Sequence, residues 1–390
     1  MKKLAGIVLL LAVLIASLYY FNIVKGNNRI GESDVTDVPP EAVAAVSPTP
    51  VPKPSPIPEV TKPPVLKLVA VGDIMLGRSV GKRLEKTSKG YDTAFSDVSG
   101  LLKQGDVVFG NIESPITESM HSLSKDKKIV LKSSPRCIDS LKSAGFNLFS
   151  LANNHILDYY DTGLFDTIDL LDRNGFKHSG SGKNLEEARK PAIMVKNGIR
   201  MGLLAYSDMT QYIYAGNPAI RFAAGLDKAG VAPREYEAIK EDIAALRGQV
   251  DLVAVSLHWG VEESFTVTPE QVEFAHKLLD DGADMILGHH PHQFQGIEIY
   301  KGKPIIYSMG NFIFDQNDAE NMETFIMEMN FEGVKLKSLE AVPVKIVDKC
   351  RAVPQKEGEA DKMLEREISL CSKLGTACSV QSGKLVFKLD

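Results

Sequence analysis

Five hydrophobic, strand-like runs in this chain stop abruptly at Asp, Glu, Asn or His, and that recurrence constrains the fold more than any single motif. Residues 66–71 run into Gly72-Asp73, residues 106–109 into Gly110-Asn111-Ile112-Glu113, and residues 146–151 into Ala152-Asn153-Asn154-His155, with Asp158 three residues on. Residues 252–257 end in His258-Trp259-Gly260, with Glu262 close behind, and residues 284–287 end in Gly288-His289-His290-Pro291-His292. In an open α/β sheet, functional groups gather at the carboxyl ends of strands. Three imidazoles within four positions at such an end are hard to explain as packing. Neutral imidazole ligates Zn, Fe, Mn and Ni, and a ring at one strand end meets carboxylates from its neighbours. The plain alternative, a polar loop after a strand, is outweighed by the other four strand ends.

Between the runs lie helical patterns near 79–88, 136–145, 162–174, 233–247 and 269–281, with a strand pair near 192–206. Such alternation predicts an α/β fold. The character changes after residue 295: segments 296–300 and 304–307 flank Lys301-Gly302-Lys303 as a hairpin, and strands are expected near 323–331 and 336–346. A second, antiparallel-rich sheet packed on the first follows. The main domain is therefore placed at 66–346. Residues 347–390 are expected to pack on it as an appendage, with a short amphipathic helix from Asp361 and a last strand at 384–387.

The amino terminus makes a separate statement. Lys2 and Lys3 precede an uncharged, mostly apolar run from Leu4 to Val24, then Lys25. About 20 such residues span the hydrocarbon core as a helix, and lysines before the run favour a cytoplasmic amino terminus. Residues 1–25 are thus expected to be a single-pass membrane anchor with the remainder extracytoplasmic; a cleaved signal peptide is the alternative. Residues 26–65 carry ten of the twenty prolines, alternating with small or polar residues. That composition cannot bury a core and predicts a disordered, extended stalk.

Other features discriminate less. The formal net charge is −5, with no Lys/Arg-rich run and no interleaved aromatic-basic pattern, so nucleic acid is not an expected ligand. Cys137, Cys350, Cys371 and Cys378 lack zinc-ribbon spacing; an exported setting permits a bridge between Cys371 and Cys378, for which Cys350 competes. Gly180-Ser181-Gly182 lacks the spacing of a phosphate-binding fingerprint and reads as a turn and helix cap. Arg78 and Lys132 are the basic groups considered for an anionic substrate, against a default of surface ion pairing. Asn311 follows Gly310 near the proposed site as a substrate contact or a turn cap.

The order of the strand ends resembles the calcineurin-like metallophosphoesterases. More closely, GDIMLGR, GNIESPIT, LANNHILDYYDTG, HWGVEE and GHHPHQFQGIEIYKGKPIIYSMGNFIFD resemble the CapA family of bacterial capsule or poly-γ-glutamate synthesis proteins, over roughly residues 66–345. The resemblance implies a four-layer αββα sandwich of two mixed sheets. It implies Asp73, Asn154, His258, His290 and His292 as metal ligands, with Glu113 at the position of a bridging carboxylate. His155, near Asp158, falls where those enzymes place a general acid. Glu262 is a candidate substrate contact or partner for a ligating His. One position departs from the pattern: Met75 stands where the superfamily has a histidine, and thioether is a poor ligand for hard or borderline cations.

One or two divalent ions, Mn, Fe or Zn, are therefore expected. Two roles remain open. One is metal-dependent hydrolysis or transfer on a phosphoester or γ-glutamyl polymer. The other is a noncatalytic, metal-stabilised module that binds or guides an anionic polymer such as poly-γ-glutamate alongside other synthase subunits.

Overall fold

Alternate residues of β1 (Val65–Ile74) face two different cores, because side chains of a strand alternate between faces. Leu66, Leu68 and Ala70 join one buried cluster, Val69 and Val71 another. This strand lies at the centre of a computed structural model that describes residues 63–211 and 221–389. The expected anchor, and the stalk up to residue 62, lie outside the described residues. Among the described residues no helix is long and apolar enough to cross a membrane.

The remaining strands are β2 (Val107–Ile112), β3 (Leu148–Ser150), β4 (Lys177–Ser179), β5 (Ser181–Gly182), β6 (Ala192–Lys196), β7 (Ile199–Ser207), β8 (Gly230–Val231) and β9 (Leu252–His258). They continue with β10 (Met285–His289), β11 (Ile297–Tyr300), β12 (Lys303–Ile306), β13 (Asn311–Ile313), β14 (Glu323–Glu332), β15 (Lys335–Val347), β16 (Arg351–Pro354), β17 (Cys378–Gln381) and β18 (Lys384–Phe387). The larger sheet runs β17-β18-β15-β14-β1-β2-β3-β4, with β13 beside β1 and β16 beside β15. Its β1–β4 half is parallel and its β14–β18 half antiparallel. The second sheet runs β11-β12-β10-β9-β7-β6, parallel from β12 to β7 and antiparallel at both edges.

Leu68, Phe109 and Leu148 of the first sheet share a core with Met201, Leu203, Leu252, Ala254, Met285 and Leu287 of the second. On the far side of the first sheet, Val71, Val108 and Phe149 meet Val80, Leu141, Leu164 and Leu171 of the helices Arg78–Leu84, Ile138–Ala144 and Tyr160–Arg173. On the far side of the second, Val253, Val255 and Ile286 meet Ile239, Ile243, Leu278 and Leu279 of Tyr236–Arg247 and Pro269–Asp280. The layers are helix, sheet, sheet, helix. Each fully buried Leu or Phe contributes about 2 kcal/mol of transfer free energy to this stack.

Residues beyond 346 pack on the rest: β16 and β18 both pair with β15, and Met363, Leu364 and Cys371 of the helix Asp361–Lys373 enter the inter-sheet core. All four cysteines are unlinked in this structure, with the thiols of Cys371 and Cys378 next to each other. Gly180 (φ 105°) packs against Ala152 and Ala205, and Asn184 caps the helix Leu185–Arg189, which leaves that glycine pair a turn and a cap.

Candidate metal centre

Register brings the strand ends together. Asp73 of β1 is level with Asn111 of β2 and Asn311 of β13, and His258 of β9 is level with His289 of β10. The glycines before two of these residues are required by close approach: a Cβ on Gly72 would meet the Gly310 carbonyl oxygen at 1.9 Å, and one on Gly288 the Tyr307 carbonyl oxygen at 1.9 Å. Beyond β10 the chain turns sharply, with His290 (φ 99°) and His292 (φ 60°) both left-handed. For non-glycine residues that conformation costs about 1–3 kcal/mol each and persists only where the surroundings enforce it.

Asp73, Glu113 and His258 are fully buried and offer ligand atoms that all lie within 4.8 Å of one another. Asn154 Oδ1 lies 3.1 Å from His258 Nε2, and His290 Nδ1 lies 3.2 Å from the same nitrogen. Glu113 Oε1 is 3.8 Å from His292 Nε2 and 4.0 Å from His258 Nε2. The structure thus gathers Asp73, Glu113, Asn154, His258, His290 and His292 at one point. Around them, Asn111 Nδ2 donates to Asp73 Oδ1 (2.9 Å), and His289 Nδ1 lies 2.9 Å from the same oxygen. His289 therefore orients Asp73. Asn311 Oδ1 sits 2.9 Å from His292 Nδ1 and orients that ring in the same way.

The charges of this cluster are poorly compensated. Burial raises Asp73, but hydrogen bonds and charge from His289 and His292 override it and hold the carboxyl well below its usual range. Glu113 is pushed well above its own, by burial first and then by Asp73. Burial, with the neighbouring imidazoles, drives His258 far down and His290 to about 3. Among the described residues, both Glu113 oxygens and His258 Nδ1 lack a hydrogen-bond partner. A buried carboxylate with no donor costs several kcal/mol unless a cation meets it. The set of nitrogen and oxygen donors around that orphan fits a divalent ion.

A second group adjoins the first. His155 Nδ1 is 2.7 Å from Asp158 Oδ2, and Lys127 Nζ lies 2.6 Å from Asp158 Oδ1, 3.0 Å from His155 Nδ1 and 2.7 Å from the Asn154 carbonyl oxygen. Burial, then the Lys127 charge, pushes His155 down to about 4. The imidazole expected as a general acid is thus neutral at rest, and donates only a proton that it has first accepted. Lys127 escaped the sequence reading because it stands among Lys125 and Lys128, both exposed, in a segment without periodicity.

The other expected residues lie further out. Arg78 pairs with Asp315, and its guanidinium is 5.8 Å from the Phe314 ring, which itself lies 4.9 Å from His292. Glu262 is exposed, yet close enough to act electrostatically on Glu113 and His292. Lys132 Nζ bonds the Ser119 carbonyl oxygen (2.9 Å). Met75 is buried in the outer core, and its sulfur accepts from Gly77 N (3.2 Å).

Residues 67–316 match the family described as bacterial capsule synthesis protein PGA_cap. The PGA biosynthesis protein CapA of Bacillus subtilis is 32% identical over 84% of this chain and 83% of its own length. The capsule biosynthesis protein CapA of Bacillus anthracis is 31% identical over 83% of this chain and 78% of its own. A 5'-nucleotidase structure from Candida albicans aligns at 12% identity and a TM-score of 0.43, over 80% of this chain and 58% of its own, a likeness that carries no argument about activity. A match of that extent, with strand-end motifs gathered at one buried centre, places the chain in the bacterial capsule synthesis (PGA_cap) family.

Proposed function

We propose that this protein serves poly-γ-glutamate or capsule biosynthesis as a membrane-anchored, extracytoplasmic hydrolase or transferase that acts with one or two divalent ions on a γ-glutamyl or phosphoester bond. The observation that carries the reading is Glu113, whose two buried, unpartnered oxygens face Asp73, His258 and His292. Asp73, Glu113, Asn154, His258, His290 and His292 would hold the metal. A divalent ion in such a site polarises an acyl or phosphoryl oxygen and lowers the pKa of water bound to it. His155, neutral and braced by Asp158, takes a proton from the nucleophile and returns it to the leaving group. The apolar run at residues 4–24 supports the anchor, and the proline-rich segment supports a stalk. Outside the membrane such a domain would meet the nascent polyanion beside other synthase subunits.

A noncatalytic role in guiding the polymer has one observation in its favour. Met75 takes the place of the first histidine of the superfamily pattern, and its sulfur is engaged with Gly77. The two readings part on His155→Ala. Polymer output in cells lost with metal content retained, measured by plasma mass spectrometry, is the outcome for catalysis. Output preserved in His155→Ala but lost in Asn154→Ala and His290→Ala would count against it.

A further inference from the structure

We propose that Lys127 is a positioning residue that locks His155 as the Nδ1–H tautomer, so that its Nε2 lone pair is presented to the metal centre. The inference rests on the reading of the Asp73 cluster as the working site. Lys127 is not part of a solvated charge run: it is 5% exposed, while Lys125 and Lys128 beside it face solvent. Segment 123–131 closes around Asp158. Leu123 N donates to the Asp158 carbonyl oxygen (2.9 Å), Leu131 N to Oδ2 (2.6 Å) and Lys127 Nζ to Oδ1 (2.6 Å). The Lys127 ammonium also donates to the carbonyl oxygen of Asn154 (2.7 Å) and lies 5.3 Å from the Phe222 ring. One side chain thus ties Asn154, a residue of the candidate ligand cluster, to Asp158 and through it to His155.

The tautomer follows from donor and acceptor rules. An ionised carboxylate only accepts and an ammonium only donates. Asp158 Oδ2 lies 2.7 Å from His155 Nδ1, which requires the proton on that nitrogen. Lys127 Nζ, 3.0 Å from the same atom, then makes no bond to it and instead holds Asp158 through the other oxygen. With Lys127 removed, Oδ1 loses its charged donor and the carboxylate is held only at Oδ2, through Leu131 N, so that its grip on the imidazole loosens. Nε2 is the ring nitrogen that none of these contacts engages.

The test uses the full chain labelled with nitrogen-15 histidine. Long-range nitrogen–proton correlation spectra distinguish the two tautomers, and His155→Gln assigns the resonance. The unsubstituted protein should show His155 as a single Nδ1–H form, and the Nε2–H form there overturns the proposal whether or not any variant folds. In Lys127→Met the signal should split or broaden, and polymer output in cells should fall at least tenfold, with metal content within twofold of the parent. An unchanged tautomer and unchanged output in a folded Lys127→Met protein also overturn it. Failure of the metal reading itself is separate: it appears as no metal in the parent protein, on which the tautomer spectrum does not depend.

Discussion

Two buried polar clusters meet at the carboxyl ends of these strands, and they handle burial in opposite ways. Around Asp158 every charge is answered: its oxygens accept from Lys127 and Leu131, and His155 lies against one of them. Around Glu113 the account stays open, with two carboxylate oxygens and a His258 nitrogen unpartnered. A satisfied network rigidifies its surroundings, whereas an unsatisfied one destabilises the fold until something enters. The contrast separates a satisfied scaffold from a group that could hold a metal ion.

The largest way to break the contrast is to remove candidate ligands. His290→Ala/His292→Ala should lose essentially all bound transition metal by plasma mass spectrometry while keeping its far-ultraviolet circular dichroism. Metal at parental levels in that variant would relocate the site. Next comes the satisfied half. Lys127→Met leaves Asp158 buried without its counter-charge, a kind of loss that typically costs about 3–5 kcal/mol, readable by urea denaturation. A change below ~1 kcal/mol would mean that Lys127 and Asp158 do not form a tight buried pair.

Acid sharpens the comparison further. His155, held down to about 4, and His290, held to about 3, are neutral in the fold but titrate near 6.5 once unfolded. Between those values the unfolded chain binds more protons, so stability is full above pH ~6.5 and falls as pH drops. In chelator-treated protein the His155 contribution alone is about 3 kcal/mol by pH ~4. A flat stability profile from pH 7 to 4 would contradict the burial of these rings.

Glu113 runs the other way. Its folded pKa is raised, so the stability linked to it is present at low pH and is lost as pH rises through the folded value. Glu113→Gln should therefore stabilise the metal-free protein at neutral pH by about 1–2 kcal/mol while lowering its metal content. A destabilised metal-free variant would show that the carboxylate already has a partner.

The parts of the fold legible in the sequence were those with strict pattern. Largely apolar runs ending in Asp73, Glu113, Asn154, His258 and His289 marked strands whose ends converge, because register is set by pairing and parallel strands end on one side. The short strand Asn311–Ile313 was not legible: it has three residues and exists only because β1 offers it an edge. The tail after residue 346 read as an appendage packed on the domain, with its helix and its last strand; what four-residue strands did not reveal is that β16 and β18 pair with β15 and β17 with β18. Lys127 was invisible for a related reason. Which of three neighbouring lysines turns inward depends on how an irregular segment wraps Asp158, and no periodicity encodes that.

The ligand cluster straddles a seam. Asp73, Glu113 and Asn154 follow strands of the ten-stranded sheet, whereas His258, His290 and His292 follow strands of the six-stranded one. An ion held by both sets is a cross-link between two halves that otherwise adhere through apolar contact. By mass action, a ligand at a thousand times its dissociation constant adds about 4 kcal/mol to the resistance against unfolding. Metal supply would then govern the lifetime of the protein against proteases, and a metal-starved protein would be lost to unfolding before any question of turnover arose.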